Sequence, residues 1–499
     1  MSGSNIERSR VEQAGTAMIW KAVQLGGTKV IFLLRLLVLA WLLSPDDFGL
    51  LAIATTAIGF LLQITDIGMI PALVQSKHID ERQYDVAWTV GITRTVGVIL
   101  IVIVTAPLIA QIFSEPRATP IIQALAFRPF LEAVSSIKVA HLTRNLQFRP
   151  LTILKLAEAA INFIVSVALA SWLGVWALVV GTLAGAMTYL ALSYLLAPHR
   201  PRFSLEWSTI RPLIRFGRWV FMTGLVVMAG NYVLRVVISR QLGTAELGIY
   251  FLAAQLAFLP AEAASEIVGT VAFPLFARLQ LDRQQAAEVF RTVFTGLSVL
   301  VYPVCALLIV LAPTLVQTVL GVRWEGTVPV IRVLALVSMI GIFGEVTVPI
   351  FNGFGHPSRV TLIEVVQSTS IILLVIGLTT RFGLVGAALA WLPTTILSQL
   401  ASFLLIRRLL PRPFASLAAP MIVITAVTGA SAAIAFIIDN LAPTLPGLIL
   451  TVTLAMVTFV GLLWLADRQL SLGFVTDLNH MFPQLAILLN YSQRIAGRI

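Results

Sequence analysis

Seven basic side chains interrupt long apolar runs in the first two hundred residues: Lys21, Lys29, Arg35, Arg94, Arg128, Lys138 and Lys155. Only Asp66, Glu132 and Glu158 oppose them there. A charge in hydrocarbon is costly and faces either a partner or a watery cavity, so an excess of cations suits the holding of an anion. At about 100° per residue, Lys21 and Arg35 stand about 40° apart on a helix and Lys29 about 80° from Lys21. The three therefore share one broad face over about 21 Å of rise. Snorkelling suits Lys21, near the end of its run, and serves Lys29 poorly at mid-run. Arg128 with Glu132 (i,i+4) and Lys155 with Glu158 (i,i+3) admit two readings, structural ion pairs or cavity groups. The candidate anion-binding set is Lys29, Arg35, Arg94, Arg128, Lys138 and Lys155.

The second half has the opposite bias, with Glu262, Glu266, Glu345 and Glu364 against Arg235 and Arg332. Glu262 and Glu266 fall on one helical face, where paired carboxylates suit proton exchange. Glu345 lies between Gly341, Gly344 and Pro349, and Asp66 shortly before Gly68 and Pro71, places where a helix can bend. Asp66, Glu262, Glu266 and Glu345 form the candidate cation or proton-coupling set. The alternative is that the acids of the second half neutralise Arg235 and Arg332.

Other chemistry finds little support. Gly26-Gly27-Thr28-Lys29 lacks the spacing of a nucleotide-binding phosphate loop. His78, His141, His199, His356 and His480 are scattered, and Cys305 is the single cysteine, so no metal set or disulfide is expected. No cofactor and no catalytic group is expected. A membrane enzyme that builds polysaccharide would need a large extramembrane loop with catalytic groups, and no connection is long enough.

The elements that must position these charges are membrane helices. The chain has 499 residues, 58% hydrophobic and 11% charged, whereas a soluble domain carries about 25% charged residues. Apolar runs fall at about 18–42, 48–71, 86–112, 120–140, 151–172, 175–197, 217–240, 246–273, 291–313, 327–352, 360–380, 383–406, 418–438 and 444–466. These predict an all-α polytopic membrane protein with about fourteen spans of ~20 residues. Most loop Lys and Arg fall on alternate segments beginning with the N-terminus, while the opposite connections hold only Arg117, Arg240, Arg323 and Arg381. The positive-inside rule then predicts that both termini are cytoplasmic. It also assigns the net charge of +11 to topology rather than to nucleic acid.

The chain repeats itself. Ser44-Pro45-Asp46-Asp47-Phe48-Gly49-Leu50 is echoed by Gly243-Thr244-Ala245-Glu246-Leu247-Gly248-Ile249, and Leu173-Gly174-Val175 by Phe382-Gly383-Leu384. The expected organisation is two pseudo-repeated six-helix lobes, 1–198 and 212–410, with two further helices in 411–466. Five arginines interleaved with apolar residues make 199–218 an amphipathic cytoplasmic linker along the headgroups. Residues 467–499 read as a cytoplasmic amphipathic tail.

Several stretches resemble polysaccharide-repeat flippases of the Wzx type, within the multidrug/oligosaccharidyl-lipid/polysaccharide exporter superfamily. They are Leu39–Ala52, Thr65-Asp66-Ile67-Gly68, His141–Arg149 and Phe273–Arg278. The likeness covers most of 15–410 and carries no catalytic motif. It implies a bacterial inner-membrane protein that moves an undecaprenyl-pyrophosphate-linked oligosaccharide from the cytoplasmic to the periplasmic face by alternating access. The pyrophosphate would be held by the basic cavity of the first lobe, and ion or proton coupling stays open. Membrane lipids, a polysaccharide polymerase and export machinery are the implied partners. A lipid II flippase, sharing the anionic carrier, and a cation-coupled small-molecule antiporter are the rival transporters; the basic first lobe disfavours the second.

Overall fold

The computed structural model describes residues 3–65, 81–145, 147–199, 201–204, 207–411, 417–441 and 443–470. Asp66, the Thr65–Gly68 motif beyond Thr65, and most of the expected C-terminal tail lie outside them. Among the described residues the regular structure is entirely helical, and twelve helices are long and apolar enough to cross a membrane. Contacts divide the chain into two compact units, Met1–Phe251 and Leu252–Ile499.

The first unit opens with α1 (Gly3–Leu42) and α2 (Pro45–Thr65). Pro45 disfavours a helical Ser44 and ends α1. A reciprocal cap then starts α2: the Ser44 N–H and hydroxyl donate to Asp47 Oδ2 at 2.9 and 2.6 Å, and the Asp47 N–H reaches back to Ser44 Oγ at 3.3 Å. The other Asp47 oxygen accepts the Val175 N–H at 3.1 Å. Next come α3 (Glu81–Ile112), α4 (Ala118–Leu125), α5 (Phe127–Val134), α6 (Val139–Arg144), α7 (Phe148–Leu173), α8 (Val175–Leu196) and α9 (Trp207–Leu242). The expected amphipathic linker is helical from Trp207 and runs unbroken into α9.

The fourth expected span, 120–140, is not one helix. It is divided into α4, α5 and α6, with Ser135 extended at φ −61°, ψ 163°. The buried Ser136 fixes this break against α8. Its N–H donates to Ser193 Oγ at 2.9 Å and its hydroxyl to the Ala197 carbonyl at 2.5 Å. Broken backbone at membrane depth is tolerated where protein satisfies its polar groups.

Helices α7 and α8 pack closely, and α7 also lies along α1. The seam is built on Gly181 and Gly185. A Cβ on Gly181 would stand 2.9 Å from the Asn162 carbonyl oxygen, and one on Gly185 2.9 Å from that of Glu158. Two glycines four residues apart let membrane helices approach to backbone contact, where dispersion rather than hydrophobic burial holds them.

The chain continues with α10 (Thr244–Arg278), whose first turns belong to the first unit. Gly49 and Gly248 meet reciprocally. A Cβ on Gly49 would overlap the Thr244 carbonyl, and one on Gly248 the Pro45 carbonyl, at 2.8 Å from each carbonyl carbon. The two echoed turns of the sequence thus cross each other, each glycine receiving the first residue of the opposite helix.

In the second unit follow α11 (Arg283–Leu315), α12 (Thr327–Gly353), α13 (Pro357–Leu389), α14 (Trp391–Ile406), α15 (Ala418–Leu441) and α16 (Leu445–Leu470). Gly383 interrupts α13 at φ 58°, ψ −140°, which separates the two runs expected on either side. Gly174, its counterpart in the repeat, has φ 53°, ψ −129°. Both lie in a region that favours glycine. The pair α15 and α16 packs on α11, where the Thr314 hydroxyl donates to buried Asp439 at 2.6 Å.

Candidate functional site

Within the first unit, α1, α5, α7 and α8 assemble a charged cluster. Arg128 on α5 is one turn before Glu132, and its Nε donates to that carboxylate at 3.0 Å. Its Nη2 lies 3.8 Å from Glu158 on α7. Glu158 gives its second oxygen to Lys155 Nζ at 3.0 Å. The Lys155 ammonium stands 4.4 Å from the ring centroid of Tyr189 on α8, a cation–π arrangement. Arg35 on α1 lies in the electrostatic field of Arg128. The cluster therefore holds three cations, two carboxylates and an aromatic face.

The surrounding structure fixes these groups unequally. Glu158 is mostly covered, its side chain 14% exposed, and its backbone carbonyl sits at the Gly185 contact. Arg128, Glu132 and Lys155 remain about half exposed. Arg128 and Glu132 stand on the short α5, next to the break at Ser135. One wall of the site is thus a close-packed helix seam and the other is a short helix that ends at the extended Ser135.

Of the sequence-derived basic set, the geometry joins Arg35, Arg128 and Lys155. Lys29 stands about 9 Å along α1 from Arg35 at ~1.5 Å of rise per residue. Arg94 is half-buried on α3, and Lys138 immediately precedes α6. The i,i+4 and i,i+3 pairs both form, and Glu158 bridges the two cations. Tyr189 escaped the sequence reading. Its signal was available, because Gly181, Gly185 and Tyr189 recur every four residues on one face of α8.

In the second unit the Ser265 hydroxyl donates to Glu345 Oε2. Glu262 and Glu364 both lie in the electrostatic field of Glu345. Glu262 and Glu266 are exposed on α10, and Glu345 is half-buried on α12. Glu364 joins these acids only through the fold, because it lies on α13. Arg332 Nε donates to the Ile309 carbonyl at 3.1 Å, a group that Pro313 cannot bond within its own helix. In the first unit, Arg235 donates to Thr56 Oγ1 and faces the Phe251 ring. Among the described residues, no group of three or more His, Cys, Asp or Glu could hold a metal ion.

A second polar network joins the ends of α1, α3 and α9 to their successors. Arg117 donates to Glu115 at 2.7 Å and pairs with Asp46 at 2.8 Å, while the Thr244 hydroxyl donates to Glu115 at 2.7 Å. Arg117 holds the Glu115 carboxyl below the usual carboxylate range, against the opposing effect of burial. Its own guanidinium is pushed up by Glu115 and then Asp46.

The fold is shared with solved transporters. The lipid II flippase MurJ, in an inward closed conformation, aligns with a TM-score of 0.73 and 16% identity, over 91% of this chain and 99% of that one. An inward-facing MATE-family multidrug resistance transporter aligns at 0.56 and 14% identity, over 78% and 98%. In sequence, the succinoglycan biosynthesis transport protein ExoT of Rhizobium meliloti is 25% identical over 68% of each chain. The lipopolysaccharide biosynthesis protein WzxC of Escherichia coli is 23% identical over 63% of this chain and 64% of its own length, a little under two thirds. Residues 38–329, more than half of the chain, match the family model described as "Polysaccharide biosynthesis protein". The chain is a multi-pass membrane protein that belongs to the polysaccharide biosynthesis protein family.

Proposed function

We propose that the protein is a flippase that carries an undecaprenyl-pyrophosphate-linked oligosaccharide from the cytoplasmic to the periplasmic face of a bacterial inner membrane. It works by alternating access, with both termini cytoplasmic. The observation that carries this reading is the cluster of Arg35, Arg128 and Lys155, gathered from three helices of a membrane-spanning unit. A pyrophosphate presents two adjacent phosphoryl groups. Arg128 offers them a planar fork, while Lys155 is a compact charge steadied by Tyr189. Lys29, about 9 Å along α1, with Arg94 and Lys138, would continue the cationic path.

Energetics allow such a step. Moving one charge across 100 mV is worth about 2.3 kcal/mol, so a headgroup with two negative charges leaving a negative interior releases about 4.6 kcal/mol. Asp66, Glu262, Glu266 and Glu345 are the groups through which a cation or proton would reset the empty carrier. No step of this scheme makes or breaks a covalent bond. A lipid II flippase is the second reading, favoured by the MurJ alignment over 91% of the chain.

In a host whose own polysaccharide flippase is deleted, the wild-type chain should restore surface polymer. Arg35→Ala, Lys29→Ala and Arg128→Ala should abolish that restoration at unchanged protein level, and unchanged polymer would overturn the reading. Rescue of a strain depleted of its peptidoglycan flippase, without restored polymer, would select the second reading.

A further inference from the structure

The basic cluster already contains anions. Glu132 occupies Arg128 Nε, and Glu158 divides its two oxygens between Lys155 at 3.0 Å and Arg128 at 3.8 Å. A site meant only to attract phosphate would gain nothing from carboxylates in its phosphate positions. A cationic cavity inside a bilayer has a different difficulty: the commonest anion around it is the singly charged phosphodiester of bulk lipid.

We infer that Glu132 is a built-in competitor anion, with Glu158 as its fixed support, and that it keeps singly charged phosphodiesters off the site while a doubly charged, diphosphate-type headgroup still enters. The inference rests on the reading of the cluster as an anion site. A phosphodiester that reaches Arg128 replaces Glu132 one charge for one, and exchanges one ion pair for another of the same kind. A diphosphate replaces that carboxylate with one phosphoryl group and brings a second toward Arg35 or Lys155, so its exchange is favourable. Specificity then comes from an element placed against the wrong ligand as well as from contacts to the right one.

The two acids have different parts. Glu132 is 45% exposed, so its side chain can rotate away from Arg128 into the open side of the site. Glu158 is 14% exposed, on a backbone locked against Gly185, and cannot withdraw. Glu132 is therefore the anion that is displaced. Glu158 is the fixed one, holding Lys155 over Tyr189 and Arg128 toward the site whether or not ligand is present. Glu132 and Glu158 act on the ligand through Arg128 and Lys155, as positioning and selectivity residues.

The test compares two water-soluble probes, inorganic pyrophosphate and glycerophosphoglycerol, by calorimetric titration into the purified full-length protein at fixed ionic strength. Wild type should bind pyrophosphate about tenfold or more tightly than glycerophosphoglycerol, and E132Q/E158Q should bind glycerophosphoglycerol several-fold more tightly than wild type does. Unchanged glycerophosphoglycerol affinity in the double variant overturns the inference. If the double variant does not fold, E132Q alone decides, since Glu132 is half exposed: a raised glycerophosphoglycerol affinity supports the inference and an unchanged one overturns it. Arg128→Ala separates this from the reading beneath it. Undiminished pyrophosphate affinity in that variant means that the cluster is not the anion site at all. Loss of affinity there, with unchanged glycerophosphoglycerol affinity in the glutamine variants, leaves the site standing and removes only the competitor role.

Discussion

The reciprocal contact of Gly49 and Gly248 makes a quantitative prediction. An alanine at position 248 would place its methyl carbon 2.8 Å from both the Pro45 carbonyl carbon and the Gly49 nitrogen, and closer still to the Pro45 oxygen. Carbon contacts are optimal at about 3.5–4.0 Å, so the helices must part by at least ~0.7 Å. Both neighbours are backbone, and neither can rotate away as a side chain would. Overpacking of this kind costs about 1–3 kcal/mol. Against it stands the gain from replacing a helical glycine by alanine, about 0.8–1.0 kcal/mol. The control is Gly97 on α3, where an added Cβ meets nothing within 4 Å, so Gly97→Ala keeps the gain without the clash. Gly248→Ala and Gly49→Ala should each therefore fall below Gly97→Ala by the full overpacking cost. At roughly 2–4 °C per kcal/mol for a unit of this size, that is about 2–12 °C in apparent melting temperature. Thermal unfolding of the three purified variants in one detergent measures it. Equal melting temperatures would refute the close crossing of the two turns.

Three further outcomes are expected. Glu115 is held below its unfolded pKa, so its stabilisation is complete above the unfolded value of about 4.3 and fades as pH falls through the lower folded value. The melting-temperature gap between wild type and Glu115→Gln should accordingly be largest near pH 6 and close toward pH 3; a gap that widens on acidification would contradict the Arg117 contact. Asp47→Ala removes the carboxylate half of the reciprocal cap of α2 and the acceptor of the Val175 N–H, and should cost about 1–2 kcal/mol; an unchanged denaturation midpoint would show that neither bond matters. Cys305 is buried, so single-cysteine labelling with an impermeant reagent has little background. Val322→Cys should label from outside and Leu281→Cys only from inside, and the reverse pattern would invert the topology.

What could be read from the sequence, and what could not, follows from the range of each interaction. Spans are legible because a bilayer fixes the length of every apolar run. The turn at Ser44–Gly49 is legible because Pro45 and the Ser44/Asp47 cap act within three residues. The break of the fourth span is not. Its composition is that of any apolar helix, and the bonds that fix Ser136 come from Ser193 and Ala197, some sixty residues away. The same limit applies within the charged cluster. The pairs Arg128–Glu132 and Lys155–Glu158 are local and readable at one-turn spacing. The link from Arg128 to Glu158 spans two helices, and only the packing of α5, α7 and α8 creates it. Gly181 and Gly185 were the readable clue to that packing, since their spacing marks a helix face made for close approach.

The repeat also explains how one fold can carry opposite charges. Helix α7 starts at Phe148 and ends against Gly174; α13 starts at Pro357 and bends at Gly383 with nearly the same dihedrals. Both stretches have the same length, so counted from these landmarks Lys155 corresponds to Glu364, and Glu158 to Gln367. The small residues of the adjoining helix persist as well, Gly181 and Gly185 corresponding to Ala390 and Thr394, both of the latter fully buried. The backbone seam has thus been kept while the charge two turns from the helix start has been reversed. Packing depends on the size of the seam residues and on the left-handed glycine, and neither feels the sign of a side chain farther up the helix. Charge was therefore free to diverge between the halves without cost to the fold. That freedom is what lets one half gather cations around Lys155 while the other gathers carboxylates around Glu364.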